Sequence, residues 1–271
     1  MTASTPDALW ASRAVRQLRP AAVLCRGLRR RVRGARLLDG ADLAIHVGAR
    51  VLLVATPDAS ASLLLRILAG LSRADGGSVR LAGLGSRDEW GGRVAYVGAA
   101  PALPGWLSAA EALDLAACLR GYGREERRRL VDDAIERFNL TGGLGPERPM
   151  RHGGAAVLQR VAYASAVIGE PEVLLLDEPL RAVDPQERVR LLTRVPARTT
   201  LLLASRFPAS EAGIVDQVAL LRDGRVALHV PMAELDRHRL PLSQRGIEAL
   251  ASVAASRPAS AASSPTRPVA S

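Results

Sequence analysis

The fold of this chain is decided by residues 173 to 184, which read VLLLDEPLRAVD. Four apolar residues run directly into Asp177 and Glu178, which is typical of a strand buried on both faces of a parallel sheet, with carboxylates at its carboxyl end. An aspartate there can hold Mg²⁺, and the next carboxylate can activate an attacking water. The alternative interpretation is a core strand followed by a solvated acidic turn.

The composition is that of an ordinary globular protein. The 271 residues are 48% hydrophobic and 24% charged, and no apolar run approaches the roughly 18 residues that cross a bilayer. The net charge is +10, and all of its positive side chains are arginines, because the sequence contains no lysine. Scattered arginines and only 3% aromatic residues argue against a nucleic-acid partner. The densest patch, residues 26 to 36, is equally compatible with anionic lipid headgroups.

The pattern of the chain predicts an α/β domain over residues 21 to 235, after a loose extension over residues 1 to 20. Short apolar stretches broken by glycines between residues 23 and 45 favour a small antiparallel sheet. A strand at 51 to 55, a loop at 56 to 60 and a helix at 62 to 71 follow. Residues 236 to 271 are expected to form a tail that is disordered beyond about residue 256.

A helical block over about residues 101 to 168 separates two groups of strands. Ser108 is the expected N-cap of a helix through Arg120, and Glu111 completes a capping box. Two further helices are predicted at residues 124 to 138 and 155 to 168, so the block should form an inserted lobe. The later strands are expected at 173 to 176, 199 to 204, 218 to 221 and 226 to 230.

This order of segments resembles the nucleotide-binding subunit of an ATP-binding-cassette (ABC) transporter from about residue 23 to residue 230. The resemblance rests on LLRILAGL at 64 to 71, VAYV at 94 to 97, LPGWL at 103 to 107, GEPEVLLLDEP at 169 to 179, VDP at 183 to 185 and VALLRDG at 218 to 224. It implies an α/β, P-loop NTPase-like ABC ATPase core with an N-terminal antiparallel β subdomain and an inserted α-helical lobe.

The phosphate-binding loop of that family, G-x-x-x-x-G-K-[ST], corresponds to residues 55 to 62, which read ATPDASAS. Ala61 takes the place of the lysine and Ser60 that of a glycine, while Asp58 brings a negative charge to where a triphosphate would lie. Ser62 keeps its type, either as a Mg²⁺ ligand or as a hydroxyl at the helix N-terminus. These are the nucleotide-binding positions that the resemblance implies, in degenerate form.

Two further family motifs are missing from this sequence. No aromatic residue between Trp10 and Trp90 could stack on adenine. The glutamine expected after residues 94 to 97 is replaced by Gly98-Ala99-Ala100.

The signature of the family, L-S-G-G-Q, aligns with GGAAV at residues 153 to 157. A two-residue shift would instead place His152 at the serine, so the serine that clamps the γ-phosphate on the opposite subunit is lost either way. The resemblance makes Gly154 and Ala155, together with Asp184, the expected dimer contacts.

Arginine stands at residue 206, where the family has its switch histidine. Arg206 could supply a positive charge to a phosphate, or it could pair with Glu178 or Asp177 in an empty site. Asp177 would hold Mg²⁺ with Ser62, and Glu178 would be the catalytic base, if the site is active. The alternative is that these carboxylates are retained only as strand-end and turn residues.

We therefore expect a degenerate ABC ATP-binding subunit, a pseudo-ATPase with a structural or regulatory role and little or no hydrolysis. The resemblance implies ATP and Mg²⁺ as cofactors, a transmembrane permease and a second ABC ATPase subunit as partners, and a place at the cytoplasmic face of the membrane. Segment 103 to 107 favours export by analogy.

Two alternatives remain open. The first is an ABC ATPase that binds nucleotide in an altered site formed by Ser62, Asp177, Glu178 and Arg206. The second is a soluble regulator that binds nucleic acid through residues 26 to 36.

Overall fold

The computed structural model describes residues 20–56, 59–84, 90–140, 145 and 147–256. The predicted extension before residue 20, Asp58 and the tail beyond residue 256 lie outside the described residues. Along the chain the elements are β1 (Ala21–Val32), β2 (Ala35–His46), β3 (Arg50–Thr56), α1 (Ala59–Leu68), β4 (Gly76–Leu81), β5 (Val94–Val97), α2 (Ala109–Leu119), α3 (Arg124–Arg137), α4 (Gly154–Val167), β6 (Val173–Asp177), α5 (Pro185–Thr193), β7 (Thr200–Ala204), β8 (Gln217–Arg222), β9 (Arg225–Pro231), α6 (Ala233–Arg237) and α7 (Gln244–Ser256).

Two sheets carry the domain. The larger has the strand order β5-β6-β7-β3-β8-β9, and all its strands are parallel except β9, which pairs antiparallel with β8. Every residue of β6 and β7 is buried, as expected for strands covered on both faces. The smaller sheet, β2-β1-β4, is antiparallel. The predicted α/β fold with an antiparallel β subdomain is confirmed.

The helical lobe lies between β5 and β6 in the chain and contains α2, α3 and α4. The predicted capping box is present at the start of α2: the Glu111 N–H donates to Ser108 Oγ at 3.2 Å, and the Ser108 N–H donates to Glu111 Oε2 at 2.8 Å. In the lobe, Phe138 and Tyr163 pack edge to face with ring centroids 5.7 Å apart. The Tyr163 hydroxyl donates to the Leu191 carbonyl at 3.0 Å, which fastens the lobe to α5.

Helix α1 differs from its predicted bounds of 62 to 71. It begins at Ala59, so Ser60, Ala61 and Ser62 lie in its first turns. It ends at Leu68 because Gly70 takes a left-handed φ of +76°, and the N–H of Leu71 returns to the Arg66 carbonyl at 2.8 Å. The loop between β3 and α1 is therefore shorter than the sequence pattern indicated.

The chain after residue 235 is more than a tail. Helix α7 buries Ile247, Leu250 and Ala251, spaced as one face of a helix, and these side chains join the core on the helical side of the large sheet. The packed domain therefore extends to Ser256. No helix in the described part of the chain is long and apolar enough to span a membrane.

Burial of His229 in β9 gives the fold a dependence on pH. Burial, with a smaller contribution from His46, lowers the pKa of His229 from 6.5 to about 4. Its Nε2 lies 2.8 Å from Gln217 Oε1 on the neighbouring strand. The folded protein therefore resists a protonation that the unfolded chain accepts.

We predict that the free energy of unfolding falls as the pH is lowered from 6.5 towards 4, by up to about 1.4 kcal/mol per pH unit from this group. His229→Gln should remove this contribution, because a neutral amide does not titrate. Urea denaturation across this pH window measures it. The exposed His152→Gln is the matched control, and equal pH profiles for the two variants would contradict the prediction.

Candidate functional site

A cavity of about 160 Å³ lies where the carboxyl ends of β3, β6 and β7 meet. Because these three strands are neighbours and parallel, the residues that follow them converge at one edge of the sheet. The first turns of α1, the chain after β6 and the chain after β7 supply most of the polar lining. The lining residues are Leu53, Val54, Ala55, Ala61, Ser62, Asp177, Glu178, Ala204, Ser205, Arg206, Pro208 and Gln244.

Asp177 is the central side chain of the cavity and is only 7% exposed. It accepts a hydrogen bond from Ser62 Oγ at 3.0 Å on one oxygen and from Tyr96 Oη at 3.3 Å on the other. Burial, followed by the charge of Asp177, raises the pKa of Tyr96 to about 12, so its hydroxyl stays protonated and can donate. The buried carboxylate is thus satisfied by hydroxyls of its own chain.

The sequence did not point to Tyr96 as a site residue. The signal that could have found it is its place on β5, the neighbour of β6, where it pairs in register with Leu175. Leu175 lies two residues before Asp177, so Tyr96 and Asp177 share one face of the sheet.

Glu178 and Arg206 face each other across the cavity, with Arg206 Nε 3.9 Å from Glu178 Oε1. This geometry matches the pairing alternative for Arg206. The Arg206 side chain is 61% exposed and that of Glu178 14%, so the attraction is partly screened by water. Glu178 has a left-handed φ of +50°, a conformation that costs a non-glycine residue free energy and often marks a strained site.

The start of α1 places the other predicted nucleotide-binding residues. Ala61 and Ser62 line the cavity, whereas Ser60 is absent from its lining. Ser60 is fully buried, and its hydroxyl has no hydrogen-bond partner among the described residues. A buried hydroxyl without a partner costs free energy of folding.

Helix α7 reaches the edge of the cavity, which the sequence did not predict. Gln244 Nε2 donates to Thr56 Oγ1 at 3.1 Å and to Glu248 Oε1 at 3.0 Å. The Thr56 hydroxyl donates to the same Glu248 oxygen at 3.1 Å. Thr56 is the last residue of β3, so these bonds tie α7 to the strand that leads into the phosphate-loop position.

A buried cluster supports the segment that carries Arg206. Ser205 Oγ donates to Glu211 Oε1 at 3.0 Å and accepts from the Phe207 N–H at 3.1 Å. Glu211 is 1% exposed, and burial raises its pKa, while the guanidinium of Arg188 lies 3.8 Å away and opposes that rise. The sequence pattern gave no signal for this cluster.

Another buried side chain, Gln159 of α4, links two loops. Its amide nitrogen donates to the Ala99 carbonyl at 2.8 Å, and its amide oxygen accepts from the Ala182 N–H at 2.7 Å. The loop after β5 and the loop after β6 are therefore held to the same helix.

The predicted dimer contacts lie away from the cavity lining. Asp184 caps α5, accepting from the N–H groups of Gln186 at 2.9 Å and Glu187 at 3.3 Å. Gly154 and Ala155 begin α4, and Gly154 has a φ of +71°. Within this chain Asp184 therefore has a local structural role, which does not depend on a second subunit.

The fit of Mg-ATP can be judged from these contacts. Ser62 and Asp177 offer oxygen ligands of the kind that Mg²⁺ prefers, although no group of three or more His, Cys, Asp or Glu in the described residues could hold a metal. Among the described lining residues the one basic side chain is Arg206, which lies beside Glu178. Among the described residues, the lining therefore offers a triphosphate one guanidinium and no lysine.

Comparisons with known proteins agree on one family. A family model described as ABC transporter matches residues 38–181. The aliphatic sulfonates import ATP-binding protein SsuB 1 of Pseudomonas fluorescens is 35% identical over 237 residues, which cover 85% of this chain and 84% of that protein. The daunorubicin/doxorubicin resistance ATP-binding protein DrrA of Streptomyces peucetius is 29% identical over 77% of this chain and 65% of that protein.

Solved structures share the fold. An ATP-binding subunit of an ABC transporter aligns with a TM-score of 0.73 at 22% identity, covering 86% of this chain and 99% of its own. A dimeric, post-hydrolysis structure of the ATP-binding cassette MJ0796 bound to ADP and Pi aligns with a TM-score of 0.68 at 20% identity, covering 78% and 98%. The predicted fold class is confirmed by these matches.

We predict that Ser62→Ala lowers the free energy of unfolding by about 1.5–3 kcal/mol, because it removes a hydroxyl donor from the buried Asp177 carboxylate. Ser252→Ala is the matched control: its exposed hydroxyl donates only to the Glu248 carbonyl, and its loss should cost about 0.5 kcal/mol or less. Urea denaturation compares the two. Equal losses would show that the bond to Asp177 contributes nothing to the site.

Proposed function

The chain belongs to the ABC transporter family, and from that membership we propose that it is a degenerate ATP-binding subunit with little or no ATP hydrolysis of its own. The observation that carries the proposal is that both carboxylates of the site already contact side chains of their own chain. Asp177 accepts hydrogen bonds from Ser62 and Tyr96, and Glu178 lies beside Arg206.

The missing positive charge supports the same conclusion. A working phosphate loop brings a lysine and glycine N–H groups to the triphosphate. Here Ala61 stands at the lysine, and Asp58 adds a negative charge to the loop. Like charges brought together out of water cost on the order of several kcal/mol, which a single partly paired arginine does not offset.

The partners that we propose are a transmembrane permease and a second ATP-binding subunit, at the cytoplasmic face of the membrane. Two relatives carry names for import and for drug resistance, and the structural neighbour MJ0796 is dimeric. Both sites of a homodimer would lack the loop lysine and the signature serine. A subunit with intact motifs is therefore the partner that would let such a complex use ATP.

The direction of transport does not enter the proposal. The expectation of export rested on residues 103 to 107, yet the relative named for sulfonate import covers a larger share of the chain than the drug-resistance relative. The role that we propose is structural or regulatory: the subunit would hold the permease and the partner subunit together in the correct arrangement.

One observation favours a second candidate, an ATPase with an altered site. Ser62, Asp177, Glu178 and Arg206 all line the same cavity, as that alternative requires. In it, Arg206 would leave Glu178 to contact a phosphate, and Glu178 would activate water. The nucleic-acid regulator has no comparable support.

We predict that the isolated protein hydrolyses Mg-ATP far below the roughly 1 s⁻¹ of an ordinary enzyme, and that Glu178→Gln leaves the measured rate unchanged. The reason is that the loop, with Ala61 in place of the lysine, would not hold a triphosphate within reach of this carboxylate. A phosphate-release assay with a motif-intact ABC subunit as positive control checks both statements. A fall of about 10²-fold or more on Glu178→Gln would instead establish the altered-site ATPase.

A further inference from the structure

The antiparallel sheet carries a basic surface that the nucleotide site does not use. Its members are the exposed arginines of β1, β4 and the β1–β2 turn, and we name them together the arginine surface: Arg26, Arg29, Arg31, Arg33 and Arg80. Strands β1 and β4 are neighbours, and in their register Arg26 pairs with Ser78 and Leu24 pairs with Arg80. Partners across a strand pair project from the same face of the sheet, so Arg26 and Arg80 lie close together.

The acidic residues in and beside this sheet make ion pairs with arginines outside the arginine surface or accept hydrogen bonds from backbone N–H groups. Asp75 pairs with Arg30 at 2.5 Å and accepts from the Arg31 N–H at 2.8 Å. Asp39 lies between Arg36 at 3.7 Å and Arg225 at 3.4 Å.

The third acid, Asp42, accepts from the Gly27 N–H at 2.7 Å. Among the described residues, no ion pair joins a carboxylate to a guanidinium of the arginine surface. Among the described residues, the charge of this surface is therefore compensated only in part, by the attraction between Arg31 and Asp75.

A cavity of about 340 Å³ opens on this surface between β1 and β4. Leu24, Arg26, Ser78, Val79 and Arg80 line it. Two arginines, one serine and two apolar residues thus line the same space. Guanidinium groups offer several N–H donors in a fixed plane and match phosphate oxygens, so the chemistry fits a phosphate group carried on a larger molecule.

The tip of the β1–β2 hairpin favours a lipid surface over nucleic acid. Val32 is 36% exposed there, between Arg31 and Arg33, so an apolar side chain projects with flanking positive charges. Strands β1, β2 and β4 contain no aromatic residue on which a base could stack. Basic side chains around a small apolar tip suit the headgroup region of an anionic bilayer.

We propose that the arginine surface docks on anionic phospholipid headgroups, with one headgroup phosphate in the cavity between Arg26 and Arg80. This contact is a second membrane attachment, independent of the permease and of nucleotide. The net charge of +10 adds long-range attraction toward the same surface.

Co-sedimentation of the full chain with lipid vesicles tests the proposal. Vesicles of phosphatidylcholine with about one third phosphatidylglycerol should bind the protein, and pure phosphatidylcholine vesicles should not. Arg29→Gln, Arg31→Gln and Arg33→Gln combined should weaken binding about one hundredfold, since each basic residue near an anionic surface contributes about fivefold. Arg26→Gln with Arg80→Gln, at the cavity, should weaken it by more than ten-fold.

The matched control combines Arg124→Gln, Arg128→Gln and Arg129→Gln on α3, which are exposed and remove the same charge. It should weaken binding by less than about threefold, because those arginines lie elsewhere. Equal losses in the two triple variants would overturn the proposal, as would equal binding to neutral vesicles. Thermal unfolding of all the variants verifies that each is folded.

Two further arms separate the sources of phosphate. A single-stranded RNA oligomer that binds more tightly than the anionic vesicles, and loses affinity in the same variants, would replace the membrane with nucleic acid. Sodium phosphate should release the protein from vesicles more effectively than sodium chloride at matched ionic strength, because free phosphate competes for the cavity between Arg26 and Arg80. The variant with Arg26→Gln and Arg80→Gln should be released equally by both salts. Equal release of the natural chain, or a preference for phosphate that persists in this variant, would overturn the placement of a headgroup phosphate in the cavity.

Discussion

The buried carboxylate of Asp177 is the constraint on which the rest of the site depends. Asp177 is only 7% exposed, so its carboxylate needs hydrogen-bond or metal partners. In a nucleotide site a carboxylate at this strand end can bind a metal ion. Here Ser62 and Tyr96 satisfy both oxygens directly. Because α1 supplies the first donor and β5 the second, the carboxylate at the end of β6 links three elements at this edge of the sheet.

The surrounding elements close the same edge of the sheet. Arg206 lies beside Glu178, and Gln244 brings α7 against the end of β3 through Thr56. The buried Ser205–Glu211 contact fixes the segment that presents Arg206. Each contact is modest alone, but together they link the elements around the site through interactions inside the chain. The family fold does not require these contacts, since the core of the sheet does not depend on the site.

Patterns that are local in the chain could be predicted from the sequence, and contacts between distant residues could not. The apolar run of β6 and the capping box of α2 were evident because each depends on neighbours within a few residues. Tyr96 meets Asp177 across 81 residues, so only the strand order reveals that contact. Helix α7 was assigned to the C-terminal tail without being predicted as a helix, because its three buried residues can be recognised only once the core beneath them is known. The start of α1 was placed late because the loop lacks the glycines that mark such a boundary.

The most direct test of the closed site is calorimetric titration of the purified protein with Mg-ATP, beside a variant that combines Asp58→Gly, Ser60→Gly and Ala61→Lys. We expect no binding heat for the natural chain, because Asp177 already accepts two hydrogen bonds and the loop offers no cation. We expect micromolar binding for the variant, in which a lysine and glycine N–H groups can reach the phosphates. Micromolar binding by the natural chain would contradict this expectation, and would mean that Arg206 and the two carboxylates hold nucleotide in an arrangement of their own.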